Sequence, residues 1–100
     1  MTETGGEPPA DAIEIGPRNR IEFCEYQGET AGIMEWHLKP DGKWCCGWIA
    51  FDGAAWARQF NGKITVWQVI KRDPLTLTPS IRCRACGTHG HITGGRWVPA

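Results

Sequence analysis

Apolar and polar side chains alternate with a period of two along much of this chain, the signature of strands with one buried face. Over residues 20–26, Ile21 and Phe23 fall on one side and Glu22 and Cys24 on the other. Residues 32–38 repeat the pattern, with Met34, Trp36 and Leu38 opposed to Ile33, Glu35 and His37. The run Lys39-Pro40-Asp41-Gly42-Lys43 then carries the chemistry of a three-residue hairpin loop: proline presets the first turn position, aspartate suits the second, and glycine takes the left-handed third. A partner strand over residues 44–51 follows. With Lys39 paired to Lys43, Leu38 faces Trp44, Trp36 faces Cys46 and Met34 faces Trp48, which reads as the core face of the ribbon. On the reverse side His37 lies opposite Cys45 and Glu35 opposite Gly47, and a slip of one residue would break both patterns together.

Further along, residues 63–71 (KITVWQVIK) are β-branched and aromatic and predict a strand, while residues 73–80, with two prolines, predict an edge or connector. Residues 52–60 fit a loop or one or two helical turns. Residues 81–83 lead into a Cys-x-x-Cys turn, and residues 89–98 predict a terminal hairpin around Gly94-Gly95 with Ile92 facing Trp97. Residues 1–17 stand apart, with Glu3, Glu7, Asp11 and Glu14 among prolines and glycines and hardly a large apolar side chain. Such a segment buries too little surface to offset its ordering entropy, so it reads as a flexible acidic tail ahead of one domain, residues 18–100. A unit of roughly 80 residues has a marginal core, and a metal staple is common at that size.

The cysteines supply a staple. No apolar run approaches the roughly 20 residues of a bilayer span, and the first residues lack a signal-peptide pattern, so the reading is a soluble cytoplasmic protein whose five cysteines stay reduced. Cys83-Arg84-Ala85-Cys86-Gly87 has the spacing of a zinc knuckle, in which two intervening residues let both sulfurs approach one ion and the glycine permits the tight turn. The other half of a tetrahedral site comes most economically from the cross-strand pair His37 and Cys45, giving Cys3His with Zn2+ as its natural occupant. His89, three residues after Cys86, is an alternative fourth ligand or a close neighbour of the ion, and Glu35 shares the strand face of His37. Cys46 and Cys24 read as small buried hydrophobes. The fold class is thus mostly β: a small zinc-stabilised antiparallel sheet built from hairpins, with a zinc-knuckle turn.

Other cysteine chemistries fit less well. The residues after Cys86 predict no helix for a thioredoxin-like pair, Gly87 stands where c-type haem attachment needs histidine, and the His-x-Glu and Pro-Cys-x-x-Cys of a zinc deaminase are missing. A catalytic ion keeps one position for water beside a proton acceptor, a part only Glu35 or His89 could take. Three thiolates make an ion a poor Lewis acid, so a closed, non-catalytic site is favoured over this small zinc-dependent hydrolase.

Charge changes the picture once more. The net charge of +0 hides nine acids against three bases in residues 1–41 and eight bases against two acids in residues 42–100. The halves either fold together and neutralise one another or leave a basic surface for a nucleic acid or an acidic partner. Of the six tryptophans, Trp36, Trp44 and Trp48 share the hairpin's core face. Trp56, Trp67 and Trp97 either complete a small core or, with Arg82, Arg84 and Arg96 near the knuckle, form an aromatic and cationic patch able to stack a base or grip a peptide, with Arg82, Arg84, Arg96 and Trp97 as the candidate partner-binding residues.

The run Pro74-Leu75-Thr76-Leu77-Thr78-Pro79-Ser80, with Cys83-x-x-Cys86-Gly87-x-His89-Gly90-x-Ile92 and Gly95-Arg96-Trp97, resembles a family of small zinc-knuckle proteins of phages and prophages. Related domains occur in bacterial ubiquitin-like conjugation operons, and members sometimes carry a misleading ammonia monooxygenase label. The resemblance covers residues 63–100, and the hairpin from Glu35 to Cys45 resembles the phage type as well. It implies a metal-binding β domain with His37, Cys45, Cys83, Cys86 and His89 as its notable positions, and no set activity. The resulting expectation is a zinc-binding phage-type accessory protein that binds a host protein or a nucleic acid in the host cytoplasm, with the hydrolase as the alternative.

Overall fold

In a computed structural model that describes residues 6–100, the chain is almost entirely antiparallel β. Four strands make the first sheet in sequential order: β1 (Ile13–Gly16), β2 (Asn19–Tyr26), β3 (Glu29–Leu38) and β4 (Trp44–Ala50). One helical turn, α1 (Ala55–Arg58), follows. The remainder forms a ribbon of β5 (Gln68–Arg72) and β6 (Leu75–Thr78) and a three-stranded sheet of β7 (Ile81–Arg82), β8 (His89–Thr93) and β9 (Arg96–Pro99). Among the described residues no helix is long and apolar enough to cross a membrane.

The β3–β4 register is the one the alternation predicts: Met34 opposite Trp48, Trp36 opposite Cys46, His37 opposite Cys45 and Leu38 opposite Trp44. The turn fixes it. Lys39 N–H donates to the Lys43 carbonyl at 2.9 Å, and Gly42 N–H donates back to the Lys39 carbonyl at 2.9 Å. The terminal hairpin likewise places Ile92 opposite Trp97.

The inner face of the first sheet, however, is the opposite one from that expected. Ile33 and Ile49 are fully buried and belong, with Ile15, Ile21, Leu77 and Ile92, to the main core. That core lies on the side of Glu35, His37 and Cys45. The reason is topological: β6, β7 and β8 must stack where the knuckle can reach the hairpin's histidine and cysteine, so the rest of the chain covers the Ile33 and Ile49 face although the tryptophan face is the more apolar. The face of Met34, Trp36, Trp44, Cys46 and Trp48 forms a second layer in which Trp36 and Cys46 are buried and the other three half-buried. Tryptophan tolerates this, being large and rarely buried completely. Trp48 there meets Trp56 of α1 edge to face, with ring centroids 5.3 Å apart, and Arg20 lies over the Trp44 ring. Cys46 is buried within this tryptophan layer rather than the main core, and Cys24 is only half-buried.

Three boundaries also differ from the sequence reading. The folded part begins earlier than residue 18, because Ile13–Gly16 pairs with β2 and Ile15 enters the core; alternating Ile13 and Ile15 suffice to form an edge strand despite the surrounding acids. Only the second half of residues 63–71 is a strand. The first half runs to Trp67, which makes an isolated parallel bridge with Phe51 and donates its N–H to the Ala50 carbonyl, so its backbone is engaged by the end of β4. Residues 75–78 are a paired strand, and the prolines fall just outside it, at positions 74 and 79, where no ladder donor is needed.

Gly90 shows what β8 must leave open. A Cβ there would lie 2.5 Å from Cζ2 of Trp97, whose indole crosses β8 toward the core, and 2.8 Å from the Val98 carbonyl oxygen. The Cβ of the same Trp97 lies close to Gly16, so this residue also sits where the last strand meets the first. Gly90→Ala is expected to destabilise the fold by about 1–3 kcal/mol through overpacking, read as a lower midpoint in chemical denaturation with an unchanged slope.

Candidate metal centre

The hairpin and the knuckle deliver two ligand atoms each to one place. His37 on β3 and Cys45 on β4 are cross-strand partners with side chains on the inner face. Cys83 follows directly on β7 and Cys86 closes the turn after it. The Gly87 N–H donates to the Cys83 carbonyl at 2.8 Å and the Cys83 N–H to the Thr88 carbonyl at 2.8 Å. Gly87 sits at φ +78°, a backbone conformation that side chains with a Cβ rarely adopt. The knuckle thereby folds back so that both sulfurs face the hairpin.

The ligand atoms of His37, Cys45, Cys83 and Cys86 all lie within 4.8 Å of one another and could hold a metal ion. His37 Nε2 is 3.1 Å from Cys86 Sγ, and Cys45 Sγ is 3.5 Å from Cys83 Sγ. Tetrahedral zinc with Zn–S of about 2.3 Å and Zn–N of about 2.0–2.1 Å needs donor separations of about 3.6–3.8 Å, so shifts of about an ångström complete the site. The donor chemistry, three thiols and one imidazole, suits a borderline-soft divalent ion. His37, Cys45 and Cys83 are buried, and Cys86 is exposed, leaving a solvent side by which an ion can enter.

Glu35 completes the arrangement from behind. It is 0% exposed, and its Oε1 and Oε2 lie 2.7 and 3.1 Å from His37 Nδ1. The Nδ1–H donates to the carboxylate, which leaves Nε2 aimed at the cysteines, where a metal would displace the proton that Nε2 carries without one. A carboxylate in this position fixes the ring's tautomer and orientation and raises its basicity. Of the places the sequence allows Glu35, as a ligand, a proton acceptor or a residue just behind the ligands, the geometry gives it the last, as the hydrogen-bond partner of His37.

Electrostatics follow from the geometry. Burial works against a charged His37, but the hydrogen bond and charge of Glu35, with help from Cys86, outweigh it and push the imidazole up to about 9. Burial raises Glu35 above the usual carboxylate range, with His37 partly opposing. Burial also opposes the Cys86 thiolate, yet the Thr88 hydroxyl and backbone, together with His37 and Cys83, bring that thiol down to about 7. Cys45 is pushed up to about 12 by burial and by the neighbouring sulfurs. The centre is therefore divided: Cys86 favours the thiolate, whereas Cys45 keeps its proton until a cation displaces it to solvent.

The remaining sequence candidates lie elsewhere. His89 is outside the cluster, with Nε2 2.8 Å from Ser80 Oγ and its ring stacked on His91. The four residues Arg82, Arg84, Arg96 and Trp97 do not form one patch. Trp97 shares the inner face with Ile92 and lines a pocket of about 350 Å³ together with His37, Arg18 and Thr88, because alternation along β9 turns it away from Arg96. Arg82 and Arg84 instead line a groove of about 460 Å³ with Trp48, Trp67, Thr65 and Ser80. Trp67 thus lies with Arg82 and Arg84, as expected of the aromatic and cationic patch, whereas Trp48, expected on the core face, joins them because the contact links segments far apart in sequence. No family model, curated protein or solved structure matches the chain.

Glu35→Gln keeps the shape and an acceptor for His37 but removes the charge. It is expected to weaken metal affinity about 10–100-fold, measured by competition with a chromogenic chelator, while far-ultraviolet circular dichroism of the metal-loaded variant matches the parent.

Proposed function

We propose that this is a zinc-stabilised binding module of the phage and prophage type, in which zinc holds the fold rather than running a reaction. The observation that carries this reading is the closure of the centre: four protein side chains supply four ligand atoms, and the one nearby carboxylate, Glu35, is fully buried and engaged by His37. A hydrolytic ion needs an open corner and a base in reach of water. Here the pocket that reaches His37 is lined by neither Glu35 nor His89. When bound, zinc supplies a four-way cross-link between the hairpin and the knuckle, elements that share no strand pairing. The chain's own residues do the rest: Glu35 orients the imidazole, the Gly87 turn presents the sulfurs, and Thr88 steadies Cys86.

A small β domain of this kind acts through its surface, and the resemblance of its second half to phage and prophage proteins agrees with an accessory role. Elemental mass spectrometry of untagged protein is expected to give one zinc per chain. Cys45→Ser, Cys83→Ser and Cys86→Ser are expected to lose both zinc and the tryptophan fluorescence of the folded state, because binding energy in structural zinc sites is folding energy; Cys24→Ser, outside the centre, keeps both. Cobalt substitution separates the structural from the hydrolytic reading. A visible spectrum unmoved by azide means a closed four-ligand site, and one that shifts with azide means an open position and overturns the proposal.

A further inference from the structure

The groove beside the knuckle has a composition the metal centre does not explain. Its walls are two tryptophans, Trp48 and Trp67, two exposed arginines, Arg82 and Arg84, and the polar Thr65 and Ser80. Trp67 is held in place from both ends: its backbone N–H donates to Ala50, and its indole N–H donates to the Ser80 carbonyl at 3.3 Å. Trp48 Nε1 is a buried donor without an acceptor among the described residues.

The surface next to the groove continues its charge. Partners across an antiparallel ladder share a face, and Ile81 with Gly90 and Ile92 with Trp97 mark the inner face of the β7–β9 sheet. Arg82 with His89, His91 with Val98, and Thr93 with Arg96 therefore make up the outer face. Residues 74–100, which build this sheet and the arginine wall, contain no aspartate or glutamate. A face with arginines and without an acidic side chain of its own selects an anionic partner.

We propose that the Trp48, Trp67, Arg82 and Arg84 groove, with the outer face of β7–β9, binds single-stranded nucleic acid. Arginine alone would suit any polyanion, including an acidic peptide. Paired tryptophans beside the arginines favour bases, since a base offers a flat π-face to an indole while its phosphate meets the guanidinium. A duplex hides its base faces in the stack, so the unpaired strand is the form that fits. This deepens the reading of the protein as a zinc-held binding module, on which it rests.

The test is titration of the zinc-loaded full chain with a short oligothymidylate, following tryptophan fluorescence, alongside the matching duplex, heparin and a polyglutamate peptide. The expected result is quenching by the oligothymidylate, affinity that falls steeply between about 50 and 200 mM salt, and at least about tenfold weaker binding to the duplex. Arg82→Ala with Arg84→Ala, both at exposed positions, is expected to lower affinity at least about tenfold with unchanged circular dichroism. Equal binding to duplex or to heparin without quenching, tighter binding to the peptide, or no binding by a folded chain each overturns the proposal. Zinc content measured on the same samples keeps the two readings apart. A zinc-loaded chain that ignores the oligomer loses the groove and keeps the metal, and a folded zinc-free chain that still binds it does the reverse.

Discussion

The pairing of His37 with Cys45 across one hairpin is the constraint on which the rest of the structure depends. It is set locally, by the Lys39 to Lys43 turn, and it is unforgiving, because a register slip of one residue would send the histidine and cysteine to opposite faces. Once these two side chains point to one side, the knuckle must arrive on that side, and the strands that carry it must stack there. This is why the tryptophan-rich face of the same hairpin, the more apolar of the two by composition, became the outer layer. A metal joining Cys45 to Cys83 closes a loop of 38 residues. By the chain-entropy measure used for disulfides, that removes about 4 kcal/mol of freedom from the unfolded chain, a large fraction of the stability of a domain this small.

The constraint carries a cost that only the metal centre explains. Glu35 and His37 are both almost wholly inaccessible, at 0% and 2% exposed, in a core otherwise made of isoleucine, leucine and phenylalanine. A buried carboxylate is unfavourable unless it is paired and hydrogen-bonded, and a hydrophobic pair of similar volume would serve the core as well or better. What the hydrophobic pair would lack is an imidazole held with one nitrogen committed inward and the other free toward three sulfurs.

Much of this was legible in the sequence, and the parts that were not share a physical cause. The strands, the loop type, the β3–β4 register and the four clustered side chains all follow from period-two alternation, turn chemistry and the Cys-x-x-Cys-Gly spacing, signals that act over a few residues. What failed was the assignment of sides. Alternation says that Met34 and Trp36 oppose Ile33 and Glu35; it does not say which set faces inward, because that depends on where the remaining strands stack. The edge strand at Ile13 was hidden by its acidic surroundings, which hydropathy weighs more heavily than two well-spaced isoleucines. Trp67 could be grouped with Arg82 and Arg84 from the sequence, but the place of Trp48 in their groove exists only once β4 and the knuckle are neighbours.

That neighbourhood also links the metal centre to the groove. Arg82 and Arg84 bracket Cys83, and Arg84 lies inside the Cys-x-x-Cys turn itself. An arginine on a free loop loses side-chain and backbone freedom when it meets a ligand, whereas one on a backbone fixed by the Gly87 turn, and by a metal where both sulfurs bind one, has lost the backbone part in folding. The opposite wall is equally prepared, since Trp48 belongs to the strand that supplies Cys45 and Trp67 is bridged to the end of that strand. A metal held by these four side chains would therefore bring the arginine wall to the tryptophan wall as well as the knuckle to the hairpin, and would set the width of the groove.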